Sequence, residues 1–265
     1  MYPTRYHRPA GLDEAIGLFT ECEDATYLAG GHTLLPTMKQ RLAHPSDLID
    51  LCVLPGLRGI GLKDGVVSIG ATTLHAEVAV SPIARQWIPA LSGLAGSIGD
   101  RHVRHRGTIG GSVANNDPAA DYPAASLALG ATIVTNKRQI AAADYFKGLF
   151  DTALEAQEII TQVRFPIPEK AAYEKFRNPA SRYAMVGVFV AKTTGGVRVA
   201  VTGAGSNGVF RVPAFEAALD KNFAASALDG LSVPASGLAS DLHADADYRA
   251  HLIGVLAKRA VTAAG

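Results

Sequence analysis

Two glycine turns constrain this chain more than any other feature: Ala29-Gly30-Gly31-His32-Thr33 and Thr108-Ile109-Gly110-Gly111-Ser112. The first lies between a short strand-forming run, Ala25–Leu28, and a helix-forming segment, Leu34–Leu42, closed by His44-Pro45. Leu48–Leu51 then reads as a second short strand. Strand, glycine turn, helix and strand in about 30 residues make a compact βαβ unit. Such a turn can bring backbone N–H groups up to a phosphate, because glycine puts no Cβ in the way and the next helix N-terminus adds positive potential. The second turn repeats the pattern with hydroxyls on both flanks, so the pair can clamp one diphosphate from two sides. Either turn alone reads more readily as a plain structural turn, since glycine is common in turns of every kind.

The remaining elements follow from periodicity and punctuation. Leu12, Ala15, Ile16 and Phe19 form a helical stripe, with Asp13 and Glu14 at the end where the dipole favours acids. Val66–Ile69 reads as a strand bounded by Asp64-Gly65 and Gly70, and opens a second α/β unit. Ile88–Ser97 and Pro123–Leu129 read as helices, and Ala131–Thr135, Gln139–Ala142 and Glu158–Phe165 as strands. Two prolines in Pro166-Ile167-Pro168 resist both helix and strand and mark a boundary. Beyond it, Met185–Lys192 and Val197–Thr202 predict a hairpin around Thr194-Gly195-Gly196. Helices over Pro213–Leu219 and about Asp247–Val261 flank an Ala/Ser/Asp-rich connection, Ala224–Asp247.

With 265 residues the chain holds one large domain or two ordinary ones. Its 25 Lys and Arg against 24 acids give a net charge of +1, so no global field calls for nucleic acid or an anionic membrane. No apolar stretch of about 18 residues occurs, which argues against a membrane-spanning helix, and Met1–Pro9 lacks the apolar segment of a secretory signal. Cys22 and Cys52 are read as buried or idle thiols of a reducing compartment. They are too few to ligate an iron–sulfur cluster.

Several motifs compete for a functional reading. Gly203-Ala204-Gly205-Ser206-Asn207-Gly208 fits G-x-G-x-x-G. Yet Val209–Val212 after it reads as a strand rather than a helix, and Glu216 and Asp220 come too early for the ribose-binding acid expected about 20 residues on. A structural turn is the reading taken. The run Arg101-His102-Val103-Arg104-His105-Arg106 either presents charge to a diphosphate or a partner's acidic face, or is a solvated loop. A metal at His102 and His105 lacks a third ligand. No nucleophile elbow of the G-x-S-x-G kind is present, and Trp87 reads as core or interface. Asn115, Asn116, Asp117 and Asp121 cluster after the second turn, either to read ribose or adenine or as the caps of a polar loop.

Taken together, A-G-G-H-T-L-L-P-x-M-K at Ala29–Lys39 and G-T-I-G-G-S-V-A-N-x-D-P-A-A-D-Y-P at Gly107–Pro123 resemble the FAD-binding medium subunit of the molybdenum hydroxylases. That is the xanthine dehydrogenase and aerobic carbon-monoxide dehydrogenase family. Glu158-Ile159-Ile160 before Phe165-Pro166, and Tyr173-Glu174-Lys175 before Ser181-Arg182-Tyr183, extend the likeness along nearly the whole chain. The resemblance implies that Ala29, Gly30, Gly31, His32, Thr33 and Leu34 bind FAD from the first turn, and Thr108, Gly110, Gly111 and Ser112 from the second. It further implies FAD contacts at Asn115 and Asp121, and a place for Ile160 near the adenine or flavin ring. Arg177 stands where some relatives carry a lysine near the flavin, and Tyr183 matches an aromatic that can cover one flavin face.

The expected architecture is α+β. A flavin-binding domain over residues 1–168, like that of vanillyl-alcohol oxidase, has two α/β subdomains at about 1–55 and 56–168. A small C-terminal domain, 169–265, carries an antiparallel sheet. The implied role is an electron-transfer subunit without catalytic residues or metal of its own. A large molybdopterin subunit oxidises carbon monoxide, an aldehyde, a purine or an N-heterocycle. A small subunit passes electrons through [2Fe-2S] clusters to FAD, and a quinone, NAD or oxygen takes them up. A cytoplasmic dimer of heterotrimers, touching a membrane only through partners, completes the expectation. The alternatives are a self-contained FAD oxidase of the same fold, which needs an acid–base pair over the flavin, and a nicotinamide dehydrogenase using Gly203–Gly208.

Overall fold

The computed structural model describes residues 1–265. The first expected unit is present. Strands β1 (Arg5–His7), β2 (Ala25–Leu28) and β3 (Asp47–Asp50) form a parallel sheet in the order β1-β3-β2, with helices α1 (Leu12–Glu21) and α2 (Leu34–Lys39) between them. The α1 stripe packs as its period requires: Ala15 is fully buried beside Ile49, Leu54, Leu57 and Ile159, and Phe19 stacks on Tyr27 with centroids 4.7 Å apart. At the far end of this sheet Cys22 lies near His7 and Asp47. The Asp47 carboxylate already accepts from Arg5 Nη2 at 2.9 Å and Ser46 Oγ at 2.6 Å and meets His7 Nε2 at 2.6 Å, which makes the cluster a charge-compensated anchor.

The second unit differs from the α/β expectation. Strands β4 (Ile60–Lys63) and β5 (Val66–Gly70) form a hairpin whose turn residues, Asp64 and Gly65, both take positive φ, as the tightest hairpin turn requires. Helices α3 (His75–Val80), α4 (Pro82–Trp87), α5 (Pro89–Ser97), α6 (Arg101–Arg104), α7 (Ile109–Asn115) and α8 (Tyr122–Leu129) follow before the chain returns to the sheet. Strands β6 (Thr132–Thr135) and β7 (Gln139–Ala141), the short α9 (Ala142–Tyr145), the small hairpin β8 (Phe146–Gly148) and β9 (Asp151–Thr152), and β10 (Ile160–Pro166) complete it. The sheet order is β4-β5-β10-β6-β7, and every pairing is antiparallel. Strand β10 comes back between β5 and β6 and pairs antiparallel with both, so the second unit is not a parallel α/β unit.

The chain then builds an antiparallel sheet, β11-β12-β13-β14, from Lys170–Arg177, Ala184–Thr193, Gly196–Thr202 and Phe210–Arg211. The expected hairpin is β12–β13. Its run of Val, Phe and Ala is buried on both faces. Phe189, Ala191 and Ala200 join the core around α8, while Val186, Val188, Val190, Val197, Val199 and Val201 face α10 (Pro213–Lys221) and α11 (Ala246–Ala264). All eight residues of α8 are buried, because it is enclosed between this sheet and the preceding core.

The G-x-G-x-x-G segment joins β13 to β14 with no helix after it, which agrees with the structural reading. Gly203 takes φ +80°, and a Cβ there would strike the Ala184 carbonyl. The basic run forms α6, capped by Asp100, whose Oδ1 accepts from Val103 N at 2.9 Å. Arg104 donates to the Ile98 and Gly99 carbonyls, whereas Arg101, His102, His105 and Arg106 are exposed. Trp87 closes α4 at 40% exposure and is a surface residue rather than core.

Candidate functional site

A cleft of about 470 Å³, within the range of small-molecule sites, opens between the parallel sheet, the helices after β5 and the turn joining β11 to β12. Ala29, Gly30, Gly31, His32, Thr33 and Leu34 form one wall. Thr108, Gly110, Gly111, Ser112 and Asn115 form the opposite wall, with Asp121, Ile160 and Tyr183 around it. Positions some 150 residues apart in sequence thus meet in one cavity. Arg177 is not part of it: it lies at the exposed end of β11, opposite Ala184, before the chain turns at Asn178. The exposed side chains of the basic run also stay out, and only Val103 of α6 reaches the lining.

The glycines have distinct duties. At Gly30 a Cβ would strike the Arg106 carbonyl and stand 2.7 Å from the Gly107 Cα, so the two turns pack main chain against main chain. Gly31 takes φ +71°, a left-handed conformation that side chains disfavour. A Cβ on Gly110 would stand 2.7 Å from the Ala71 carbonyl oxygen. Gly111 has the most room, and its nearest neighbours are Thr108 Oγ1 and the Ala29 methyl across the cleft.

The turns differ in what they offer. The amides of Gly30, Gly31, His32, Thr33 and Leu34 donate to no group in the chain; Gly30, Gly31 and Leu34 are half-buried and call for an acceptor, while His32 and Thr33 are exposed. In the second turn, Ile109 N donates to Thr73 O, Gly110 N to Ala71 O, Gly111 N to Thr108 Oγ1 and Ser112 N to Thr108 O. These four main-chain donors are spent on holding the turn. Its contribution to the cleft is polar side chains, from Ser112 and Asn115, on the helix that Thr108 caps. The symmetric clamp expected from sequence is therefore asymmetric: main-chain donors on one wall, side chains on the other. The fit to a diphosphate rests on the five free amides of the first turn.

Asp121 lines the cleft but is committed within the protein. Tyr173 Oη donates to its Oδ1 at 2.5 Å and Lys175 Nζ to its Oδ2 at 2.9 Å, with the Lys175 and Asp121 side chains 3% and 5% exposed. Burial pushes the Asp121 carboxyl up, against the pull of Lys175 and Tyr173. His75, which sequence reasoning passed over, is buried against Gly107 and tilted toward Tyr122 with centroids 5.4 Å apart. Its Nδ1 has no partner, and burial pushes its pKa down to about 4. Glu158, also in the lining, is lowered to about 2 by the Arg138 guanidinium, which it meets at 3.0 Å. Tyr183 sits on a turn tied by buried Asn178, whose Oδ1 accepts from Ala180 N and Ser181 N. An Asn followed by a Pro-Ala-Ser turn was a legible signal for that anchor.

Free main-chain donors beside apolar walls suit an aromatic nucleotide cofactor, and this places the molecule among the nucleotide-cofactor-binding α+β proteins. Residues 2–168 match the family described as the FAD binding domain in molybdopterin dehydrogenase. The carbon monoxide dehydrogenase medium chain of Hydrogenophaga pseudoflava is 36% identical, over 100% of this chain and 98% of that one. The nicotine 6-hydroxylase medium subunit of Paenarthrobacter nicotinovorans is 34% identical, over 98% and 97%. A solved carbon monoxide dehydrogenase from H. pseudoflava, lacking the Mo-pyranopterin moiety, has a chain that superimposes with a TM-score of 0.88 at 37% identity, covering 100% of this chain and 98% of its own. The chain belongs to the FAD-binding family of the molybdopterin dehydrogenases and is a flavoprotein component of an oxidoreductase.

Proposed function

We propose that this chain is the electron-transferring medium subunit of a three-component molybdenum hydroxylase. The observation that carries the proposal is the row of free amides from Gly30 to Leu34 in a cleft whose other wall bears Ser112 and Asn115. The first turn holds the FAD diphosphate through its main-chain donors, aided by positive potential at the start of α2. Thr108, Gly110 and Gly111 shape the second wall, Ser112 and Asn115 add polar contacts, and Ile160 and Tyr183 border the ring system. Asp121 acts through Lys175 and Tyr173, anchoring β11 against the start of α8.

The flavin supplies the redox chemistry, and the protein supplies its orientation and surroundings. Residues 1–168 carry the cradle, and residues 169–265 contribute the turn that bears Tyr183. The substrate is oxidised in a large molybdopterin subunit, and electrons arrive through [2Fe-2S] clusters of a small subunit. The relatives support this assembly, since they are medium chains of two dehydrogenases and the medium subunit of a hydroxylase. Purification from the native source tests the proposal: a stable complex with a molybdenum subunit and an iron–sulfur subunit, with one FAD per copy of this chain, is expected. Protein without flavin absorbance that gains none with added FAD would overturn it.

A further inference from the structure

Three carboxylates line the cleft: Asp117, Asp121 and Glu158. Two are committed within the chain, Asp121 to Tyr173 and Lys175, and Glu158 to Arg138 and Thr135. Asp117 is different. It sits half-buried on the loop between α7 and α8, where its Oδ1 accepts from Ala119 N at 2.8 Å. Its Oδ2 accepts from no group, and no cation pairs with it. The elements around the loop leave that oxygen uncompensated. Strand β13 offers Thr202, whose hydroxyl donates to the Pro118 and Ala120 carbonyls, and the β8–β9 hairpin offers carbonyls to Asn116. The start of α8 offers Asp121 and the β11–β12 turn offers Tyr183, while the charge of Arg182 on that turn acts on Asp100 instead. Burial and then the charges of Asp117 and Asp121 push the Tyr183 hydroxyl up, which puts Asp117 at the Tyr183 end of the cleft. Tyr183 is 49% exposed, so solvent reaches that end.

We propose that Asp117 delivers a proton to the cofactor when the cofactor is reduced. The step rests on the proposed flavin cradle, in which Tyr183 borders the ring system. Full reduction of FAD takes two electrons and two protons, and an iron–sulfur donor supplies electrons alone. Asp117 carries one of the protons on Oδ2. As the electrons arrive, its O–H bond breaks and an N–H bond forms on a ring nitrogen. The carboxylate then recovers its proton from water at the cleft mouth. Burial pushes the Asp117 carboxyl up, toward the range in which a carboxylic acid works as a general acid. A plain turn cap uses Oδ1 alone; the free second oxygen, open to the cleft, is what a proton carrier needs.

Asp117→Asn tests the step, because the amide oxygen still accepts from Ala119 N while the proton is lost. Carbon NMR titration of the aspartate-labelled full chain, without FAD, should show a carboxyl whose midpoint lies above the ordinary 3.8 and which is missing from the variant. The variant should keep the FAD content of the parent. Its reduction by reduced methyl viologen, a one-electron donor, should be slower than the parent's by on the order of a hundredfold. The parent rate should fall as pH rises through the NMR midpoint, and the variant rate should not. Asp117→Glu, or acetate added to Asp117→Asn, should restore part of the rate. An unchanged reduction rate in Asp117→Asn, or loss of FAD from it, overturns the proposal and leaves the cradle standing. A parent chain that takes up no FAD refutes the cradle, and the proton step with it.

Discussion

Gly30 and Gly107 meet main chain to main chain: a Cβ on Gly30 would lie 2.7 Å from the Gly107 Cα. Gly107 in turn lies against the His75 ring, where its own Cβ would stand 2.6 Å from Nε2. The distance between the two walls of the cradle is set by this contact. Gly30→Ala must push them apart, and forced overpacking of this kind costs about 1–3 kcal/mol. A lower melting temperature and at least a tenfold loss of FAD affinity are expected, read by thermal unfolding and flavin absorbance per protein.

Gly111 offers a cleaner test of the second wall, because no backbone blocks its Cβ. Gly111→Asp introduces a carboxylate toward the Ala29 side of the cleft, where it repels the cofactor diphosphate, and it crowds the Thr108 cap. FAD loss with a far-ultraviolet spectrum like that of the parent is expected. A variant with stoichiometric FAD would refute the assignment.

Asp121 and Lys175 form an ion pair that is closed to solvent. Removing one partner leaves a buried charge, which costs about 3–5 kcal/mol. Lys175→Met is expected to destabilise the chain by that amount in urea denaturation. Lys175→Met combined with Asp121→Asn is expected to recover part of the loss. Additive losses in the double variant would show that the two groups act independently.

His75 gives a signed pH dependence. Its ordinary pKa is 6.5, and in the fold it falls to about 4. Between those values the unfolded chain binds the extra proton, so stability declines as pH drops from 6.5 toward 4. The full decline is about 3 kcal/mol at roughly 1.4 kcal/mol per unit. Glu158 adds its own loss only below its ordinary value of 4.5, so between pH 5 and 6.5 the difference in slope between the parent and a His75 variant reports His75. Urea midpoints across that window should slope less in His75→Gln than in the parent; equal slopes would refute the assignment.

Local sequence determined a good deal of this protein. The α1 stripe, the strand–turn–helix around Gly30-Gly31, the β12–β13 hairpin and the absence of a helix after Gly208 all rest on interactions within about a dozen residues. Propensity and turn chemistry express such interactions directly. The paired glycine motifs also pointed to one cofactor, because backbone approach to a phosphate leaves a compositional trace.

The tertiary structure decided the rest, because the deciding contacts are distant in sequence. The strand order that returns β10 between β5 and β6 is invisible to periodicity. Hydrogen bonding from Ile109 to Thr73 and from Gly110 to Ala71 consumed the amides of the second turn and left the donors to the first. The same long-range packing buried His75 with its Nδ1 unpartnered, tied the Asp121 carboxylate in the cleft lining to Lys175 and Tyr173, and left Arg177 outside the cleft. Residue types announce what groups a chain can offer, but which donors remain free is settled only when every other acceptor has been assigned in three dimensions.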